Sequence, residues 1–338
     1  MNFQSDNAAA VCPEVLAAVV DAGAASPAAY DADTWTARLD GVYSDVFGTA
    51  CTVLPVSTGS AANALALAAM VPSYGAVACH AEAHIHVDEC GAPEFFTGGA
   101  KLLLCHGDNG KLTPGSVTAS LAAHRGGVHQ VQLGALSLTQ ATECGTVYTA
   151  GEVAALAGLA QSRGWKVHMD GARFANAMVA LGCAPGDITW RAGVDILSLG
   201  AIKNGGMTAE AMVIFAPELV EEIRFRRKRA GQMPSKGRFN AAQLLAYVET
   251  GAWTRNAHAA NAGAAKLAAA IGPRAVYPVQ ANEVFADLGP NGAGTLRDAG
   301  FLFYDWADPA DHVARFVVAW DTPAADIDAL AAAVACLD

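Results

Sequence analysis

The sequence has no run of about 18 or more apolar residues; the apolar segment from Val15 to Ala25, for example, is broken by Asp21, which argues against a membrane-spanning helix. Charged residues make up only 16% of the 338, and the 21 lysines and arginines are outnumbered by 32 acids. The net charge of -11 argues against general nucleic-acid binding, which rests on basic side chains neutralising phosphates. The eight cysteines are scattered singly, with no CxxC pair and far from the density of a disulfide scaffold. They are expected to be buried free thiols. The opening residues MNFQSDNAAAVCPE lack a basic start followed by an apolar core, so no signal peptide is expected and the cytoplasm is the expected location.

Hydrophobic residues reach 53%, and the length exceeds the roughly 250 to 300 residues at which one core stops growing, so two domains are expected. Strand-like runs alternate with helical patterns: VAC near 77, KLLLC at 101–105, GVHQVQLGALSL at 127–138, WKVHMD at 165–170, VDILSLG at 194–200 and AMVIFA at 211–216. Alternation of this kind predicts an α/β fold with a mainly parallel sheet and ligands at the strands' carboxyl ends. From about residue 240 the pattern changes to helices over 241–247 and 253–270, short strands at VYPVQ, EVFADL and ARFVVAW, and a last helix. That helix is predicted to be capped by Thr322 with Pro323 at its first position and Ile327, Leu330, Val334 and Leu337 on one face. The reading is a large domain over 1–245 and a small C-terminal α+β domain over 246–338.

Four groups of residues are candidates for chemistry. Thr58, Gly59 and Ser60 precede an alanine-rich helix, where free backbone N–H groups and the helix dipole favour an anion; ordinary capping explains the same residues. Asp170 and Arg173 follow WKVHMD, where the sheet places ligands, although an acid and a base three apart also make plain surface pairs. Lys203 follows a buried strand and precedes Asn204, Gly205 and Gly206, a position that presents an amine to a carbonyl or leaves it in solvent. On a strand, His84, His86 and Asp88 share a face, a spacing that can bind zinc with His168 as a further ligand, and this supports a rival metal-dependent hydrolase. The basic run Arg224 to Arg229 reads as a solvated helix face, or as a receiver of one phosphate or a neighbouring subunit. An anion cradle, an imidazole, an acid, an arginine and an amine together are the parts needed to hold pyridoxal 5'-phosphate.

The segments FQSDN at 3–7, STGSAAN at 57–63, EAHIHVDECGAPE at 82–94, MDGARFANA at 169–177, LSLGAIKNGG at 197–206 and ARFVVAWDT at 314–322 resemble the fold-type I pyridoxal-phosphate enzymes. Within them the sequence is similar to the low-specificity L-threonine aldolases, including their phenylserine-cleaving relatives. The resemblance implies an aspartate-aminotransferase-like large domain with a small C-terminal domain, and cleavage of a β-hydroxy-α-amino acid to glycine and an aldehyde. It implies Lys203 as the lysine joined to the cofactor, Asp170 on the pyridine nitrogen, His84 on the ring, and Thr58, Gly59 and Ser60 at the phosphate. Ser5, Arg173 and Arg315 match positions that hold the substrate carboxylate. Tyr30 matches a position that approaches from another subunit, and Arg229 to Arg238 a mobile loop. A homotetramer is implied, with no metal, nucleic acid or membrane partner. Another β-eliminating lyase or an aminotransferase is the alternative with the same cofactor. One departure stands out: many relatives carry a histidine after SL that contacts the β-hydroxyl, whereas SLTQATECGTVYT at 137–149 has none. His84, a water, Thr142 and Glu143 are the candidate bases.

Overall fold

The computed structural model describes residues 1–306 and 308–337, with the side chain of Pro309 also outside the description. Its strands are β1 Thr52–Val56, β2 Gly75–His80, β3 Lys101–Cys105, β4 Gln132–Thr139, β5 Lys166–Gly171, β6 Ile196–Leu199, β7 Glu210–Ile214, β8 Glu283–Asp287, β9 Tyr304–Asp305 and β10 Val313–Val317. The first seven form one sheet in the order β1-β7-β6-β5-β4-β2-β3, and the last three form a second in the order β8-β10-β9. In the large sheet only β7 opposes its neighbours β1 and β6, and the remaining pairs are parallel. Strands buried on both faces read as near-continuous apolar runs, and helices cover each face.

One face packs under the helix Gly59–Met70 around Leu65, Ile85, Ile196 and Ile214, and the other under helices 36–47, 150–162 and 238–249 around Tyr43, Leu156, Met169 and Leu244. A third core joins the small sheet to helices 252–271 and 324–335. Phe3 belongs to that third core: it lies 6.5 Å from Phe301 and 6.4 Å from Phe316, ring to ring, and its amide donates to Leu302 O at 2.8 Å. The first residues of the chain are thereby fastened beside its last strand.

Several expectations shift. β1 is not visible as a strand in the sequence because Pro55 interrupts it; at the edge of the sheet, paired only with β7, the missing N–H costs nothing. The run 127–138 becomes a strand only from Gln132, since Gly126 and Gly127 adopt positive φ and turn the chain. VYPVQ forms no strand: Pro278 cannot donate, and a single bridge, Ala275 with Ala286, is all that pairs there. The last helix starts at Ala324 with Pro323 as its cap, while the Thr322 hydroxyl accepts from Ala319 N; Ile327, Leu330 and Val334 are buried as expected. Cys90 and Cys336 are exposed and Cys183 half-buried, so the cysteines are not uniformly interior. Nor is the basic run wholly a solvated face, because Arg227 is buried, donating to Pro55 O at 2.6 Å and pairing with Asp31.

Gly200 ends β6 and turns the chain toward Lys203; a Cβ there would stand 2.3 Å from the Ala172 carbonyl oxygen. Gly200→Ala should therefore destabilise the fold by about 1–3 kcal/mol, the usual cost of overpacking, measured as a shift of the denaturation midpoint. An unchanged midpoint would contradict that packing.

Candidate active site

The carboxyl ends of β4, β5 and β6 open into a cavity of about 260 Å³ that Thr58, Gly59, Ser60, Asn63, His84, Asp170, Arg173 and Lys203 help to line. A second cavity of about 600 Å³ adjoins it, lined among others by Ser5, Tyr277, Glu283, Trp306 and Arg315. Asn7, His84, Glu143, Arg173 and Lys203 line both, and so form the border between them.

The smaller cavity has an anion-binding end and a polar floor. Thr58 is extended (φ -148°, ψ 152°) and its hydroxyl accepts from Ala61 N at 3.1 Å, so it caps the helix Gly59–Met70 and lines the cavity at once. The first N–H groups of that helix have no acceptor inside it, and a Cβ built on Gly59 would meet nothing within 4 Å. Asp170 is held from two sides, Oδ2 accepting from Asn63 Nδ2 at 2.9 Å and Oδ1 from Ala172 N at 3.1 Å. The same Asn63 nitrogen donates to Glu89 Oε1 at 2.8 Å, and Glu89 meets His84 Nδ1 at 2.9 Å. The hydrogen bond from Glu89 is the main reason that the His84 pKa is raised, with burial opposing it and Asp170 adding to it.

Lys203 sits in a one-turn 3₁₀ segment, Ile202–Asn204, locked from both sides. Glu210 on β7 accepts from Ala201 N at 2.7 Å, while Asn204 donates to Tyr247 Oη at 2.7 Å and to Trp253 O at 2.8 Å. Burial pushes Glu210 up to about 7, against the pull of those backbone donors and Lys203.

Arg173 is not a free arm. Its Nε and Nη2 donate to Asp6 at 2.7 and 3.0 Å, and Nη1 lies 3.1 Å from Glu283 Oε2. Burial works to raise the Asp6 pKa, but Arg173 and Lys203 outweigh it and leave it lowered; for Glu283 burial prevails over Arg173 and Arg315, and its pKa is raised. Both Glu283 oxygens lack hydrogen-bond partners among the described residues, which accounts for the difference. Arg315 Nε is likewise buried and unpartnered. Its guanidinium stands 5.6 Å from the rings of Tyr304 and Trp306.

The zinc spacing does not survive. Residues His84–Val87 form a helical turn, so the alternation that would align His84, His86 and Asp88 is absent, and Glu89 and Asp170 are the acids beside His84. His168 lies on the Asp170 face of β5, between the hydroxyls of Ser137 (2.9 Å) and Ser198 (3.0 Å), and burial drives its pKa down to about 4. Tyr30 lies outside both cavities, exposed, with Lys228 over its ring at 4.4 Å. Sequence reading gave no part to Asp6, Asn63, Glu89, Glu210 or Glu283. Asp6, Asn63 and Glu89 sit inside the motifs quoted above, but only the fold shows that they face one another.

A family model described as beta-eliminating lyase matches residues 2–289. The chain is 43% identical to the low specificity L-threonine aldolase of Pseudomonas aeruginosa, over 95% of this chain and 93% of the relative. It is 41% identical to that of a Pseudomonas species, over 98% and 96%. The chain belongs to the low-specificity L-threonine aldolase family. Its fold superposes on the threonine aldolase of Leishmania major with a TM-score of 0.92 at 24% identity, each chain covered to 98%. Aspartate aminotransferase of Thermus thermophilus matches with a TM-score of 0.69 at 15% identity, over 99% of this chain and 90% of that one, so the aminotransferase-like fold expected above is the fold found.

Replacing Glu89 by Gln in this family member turns the charged acceptor that favours the charged imidazole into a neutral one. The His84 pKa should fall, which histidine NMR resonances followed against pH would register. A value unchanged or higher would show that Asp170, not Glu89, sets it.

Proposed function

We propose that the protein cleaves β-hydroxy-α-amino acids of the threonine or phenylserine type between Cα and Cβ, giving glycine and an aldehyde, with pyridoxal 5'-phosphate held in the smaller cavity. The observation that carries this is the gathering of Lys203, Asp170, His84 and the Thr58–Ser60 helix end around one cavity in a chain 43% identical to a low specificity L-threonine aldolase. The residues fit that cofactor: an open helix end suits its phosphate, a doubly anchored carboxylate its ring nitrogen, and an amine its aldehyde. When bound, the cofactor supplies an electron sink for the bond that breaks at Cα.

The protein's own groups do the rest. Asp170, kept from turning by Asn63 and the Ala172 amide, would hold a proton on the ring nitrogen. His84, anchored by its contact with Glu89, would stack on the ring. The unpartnered Nε of Arg315, with Ser5 nearby in the larger cavity, receives the substrate carboxylate; Arg173, held by Asp6 and Glu283, fixes the wall between the cavities. Clamping the carboxylate there sets which of the three bonds at Cα faces the sink, and so which reaction runs. Units of 1–245 and 246–338, a homotetramer in which Tyr30 reaches a neighbour's site, and a cytoplasmic location complete the proposal. Among the described residues no helix is long and apolar enough to cross a membrane.

Purified protein incubated with pyridoxal 5'-phosphate should acquire a visible absorption band, and with threonine should release acetaldehyde and glycine. Lys203→Ala should show no measurable turnover. A 2-oxobutanoate product would replace this reading by β-elimination, and a keto acid formed with amino-group transfer would replace it by transamination.

A further inference from the structure

The loop that follows β4 carries no histidine, yet it delivers another ionisable group to the place where a β-hydroxyl would stand. We propose that Glu143 is the catalytic proton acceptor for the substrate's β-hydroxyl, an inference that rests on the aldolase reading. Glu143 lines both cavities, at the border that Lys203 shares, with Arg315 in the wall of the larger one, so a substrate held between Lys203 and Arg315 would pass beside it. One carboxylate oxygen is fully used and the other is not. Oε1 accepts from the His84 amide at 2.7 Å and from the Thr139 hydroxyl at 2.9 Å, which fixes the side chain; Oε2 is buried with no partner among the described residues. A buried acceptor left unpaired is costly unless a ligand completes it.

Two other candidate side chains are less suited to accept a proton. The Thr142 hydroxyl bonds Thr146 at 2.8 Å and Thr142 lines neither cavity. His84 is committed to Glu89, and that contact favours its protonated form. In the reaction, the O–H bond breaks and its proton passes to Glu143 Oε2. The electron pair left on oxygen forms the aldehyde carbonyl as Cα–Cβ breaks, and the pair from that bond stays with the Cα fragment, which takes up one proton to become glycine as Glu143 releases the one it accepted. Atoms and charge balance with no further reactant.

Glu143 also titrates where such a base must. Burial first, then Asp170, push its pKa up to about 7, against the amide and hydroxyl donors. The groups that face it are Asp170 and Arg173 at the end of β5, His84 and Cys79 from β2 and the turn beyond it, and Cys144 and Tyr148 from its own loop. The active form is the carboxylate, so wild-type kcat/KM should fall as pH drops below about 7. Glu210 titrates in the same range but holds the Ala201 amide, so the variant decides between them.

The experiment compares the wild-type holoenzyme with Glu143→Gln. Threonine cleavage should fall roughly a hundredfold to ten-thousandfold in kcat with KM little changed, the range for loss of a general base. The limb near pH 7 should vanish. Exchange of the glycine α-proton with D2O, followed by NMR, should continue at near wild-type rate, because it needs no hydroxyl proton acceptor. The variant should also melt no lower than wild type at pH 8: a carboxyl whose folded pKa is raised loses stability as pH rises through it, and glutamine does not. Cleavage within threefold of wild type, a limb that persists, or exchange lost in parallel with cleavage would each overturn the assignment. If glutamine prevents folding, a wild-type profile flat through pH 7 overturns it instead. A wild-type enzyme that exchanges glycine but cleaves no β-hydroxy amino acid defeats the aldolase reading itself, before any variant is made.

Discussion

The buried guanidinium of Arg173 ties together parts of the chain that are far apart in sequence. It leaves the end of β5, grips Asp6 near the start of the chain with two nitrogens, and reaches Glu283 at the start of β8 with a third. Arg173 favours the ionised form of both acids against their burial, and a lone buried arginine would be as unfavourable. The large sheet, the small sheet and the first residues therefore meet at one charge. Asn282 strengthens the joint by donating to Asp6 at 3.0 Å and to Val318 O at 3.0 Å. Because all three segments also border the cavities, the walls of the two cavities are set relative to one another by this ion pair as well as by the chain connections.

Much of this was legible in the sequence. Strands buried on both faces announce themselves as short apolar runs, and the polar residue that ends each run then falls at the sheet's carboxyl edge, which is how Asp170 and Lys203 could be placed. The helix start at Thr58 and Gly59 was legible because both residues have local duties there. What was hidden depends on contacts between distant segments. Arg173 reads as a free clamp until Asp6 and Glu283 are brought to it. His84, His86 and Asp88 read as an alternating strand until the chain coils at Ala83, a turn that local composition does not dictate. Edge strand β1 was lost to its proline, and VYPVQ was over-read for the opposite reason, β-forming side chains without neighbours to pair.

The site concentrates buried acids whose ionisation the fold resists. Glu143 and Glu210 are each shifted from 4.5 to about 7 by burial. Keeping either charged at alkaline pH costs roughly 3 kcal/mol, from about 1.4 kcal/mol per pKa unit, an appreciable part of a typical folding free energy. The cost is absent below the unfolded pKa and is incurred as pH rises through about 7, so stability and an ionised site pull in opposite directions. For Glu210 the return is structural, an anchor for the amide two residues before Lys203. The Lys203 loop is further fixed by Asn204, Tyr247 and Asn256, none of which needs to touch a ligand.

Phe3 ties this arrangement to the far end of the chain. Its amide and carbonyl are bonded to Leu302 and Val317, and its ring is enclosed by Phe301 and Phe316, so the place of Ser5, Asp6 and Asn7 at the cavities depends on the last strand of the small sheet. The large sheet supplies their other anchor, the Arg173 guanidinium on Asp6. The cavity wall is thus closed by the earliest part of the chain packed against the latest. A chain interrupted before residue 317 could thus carry Lys203 and Asp170 in place and still have no finished site.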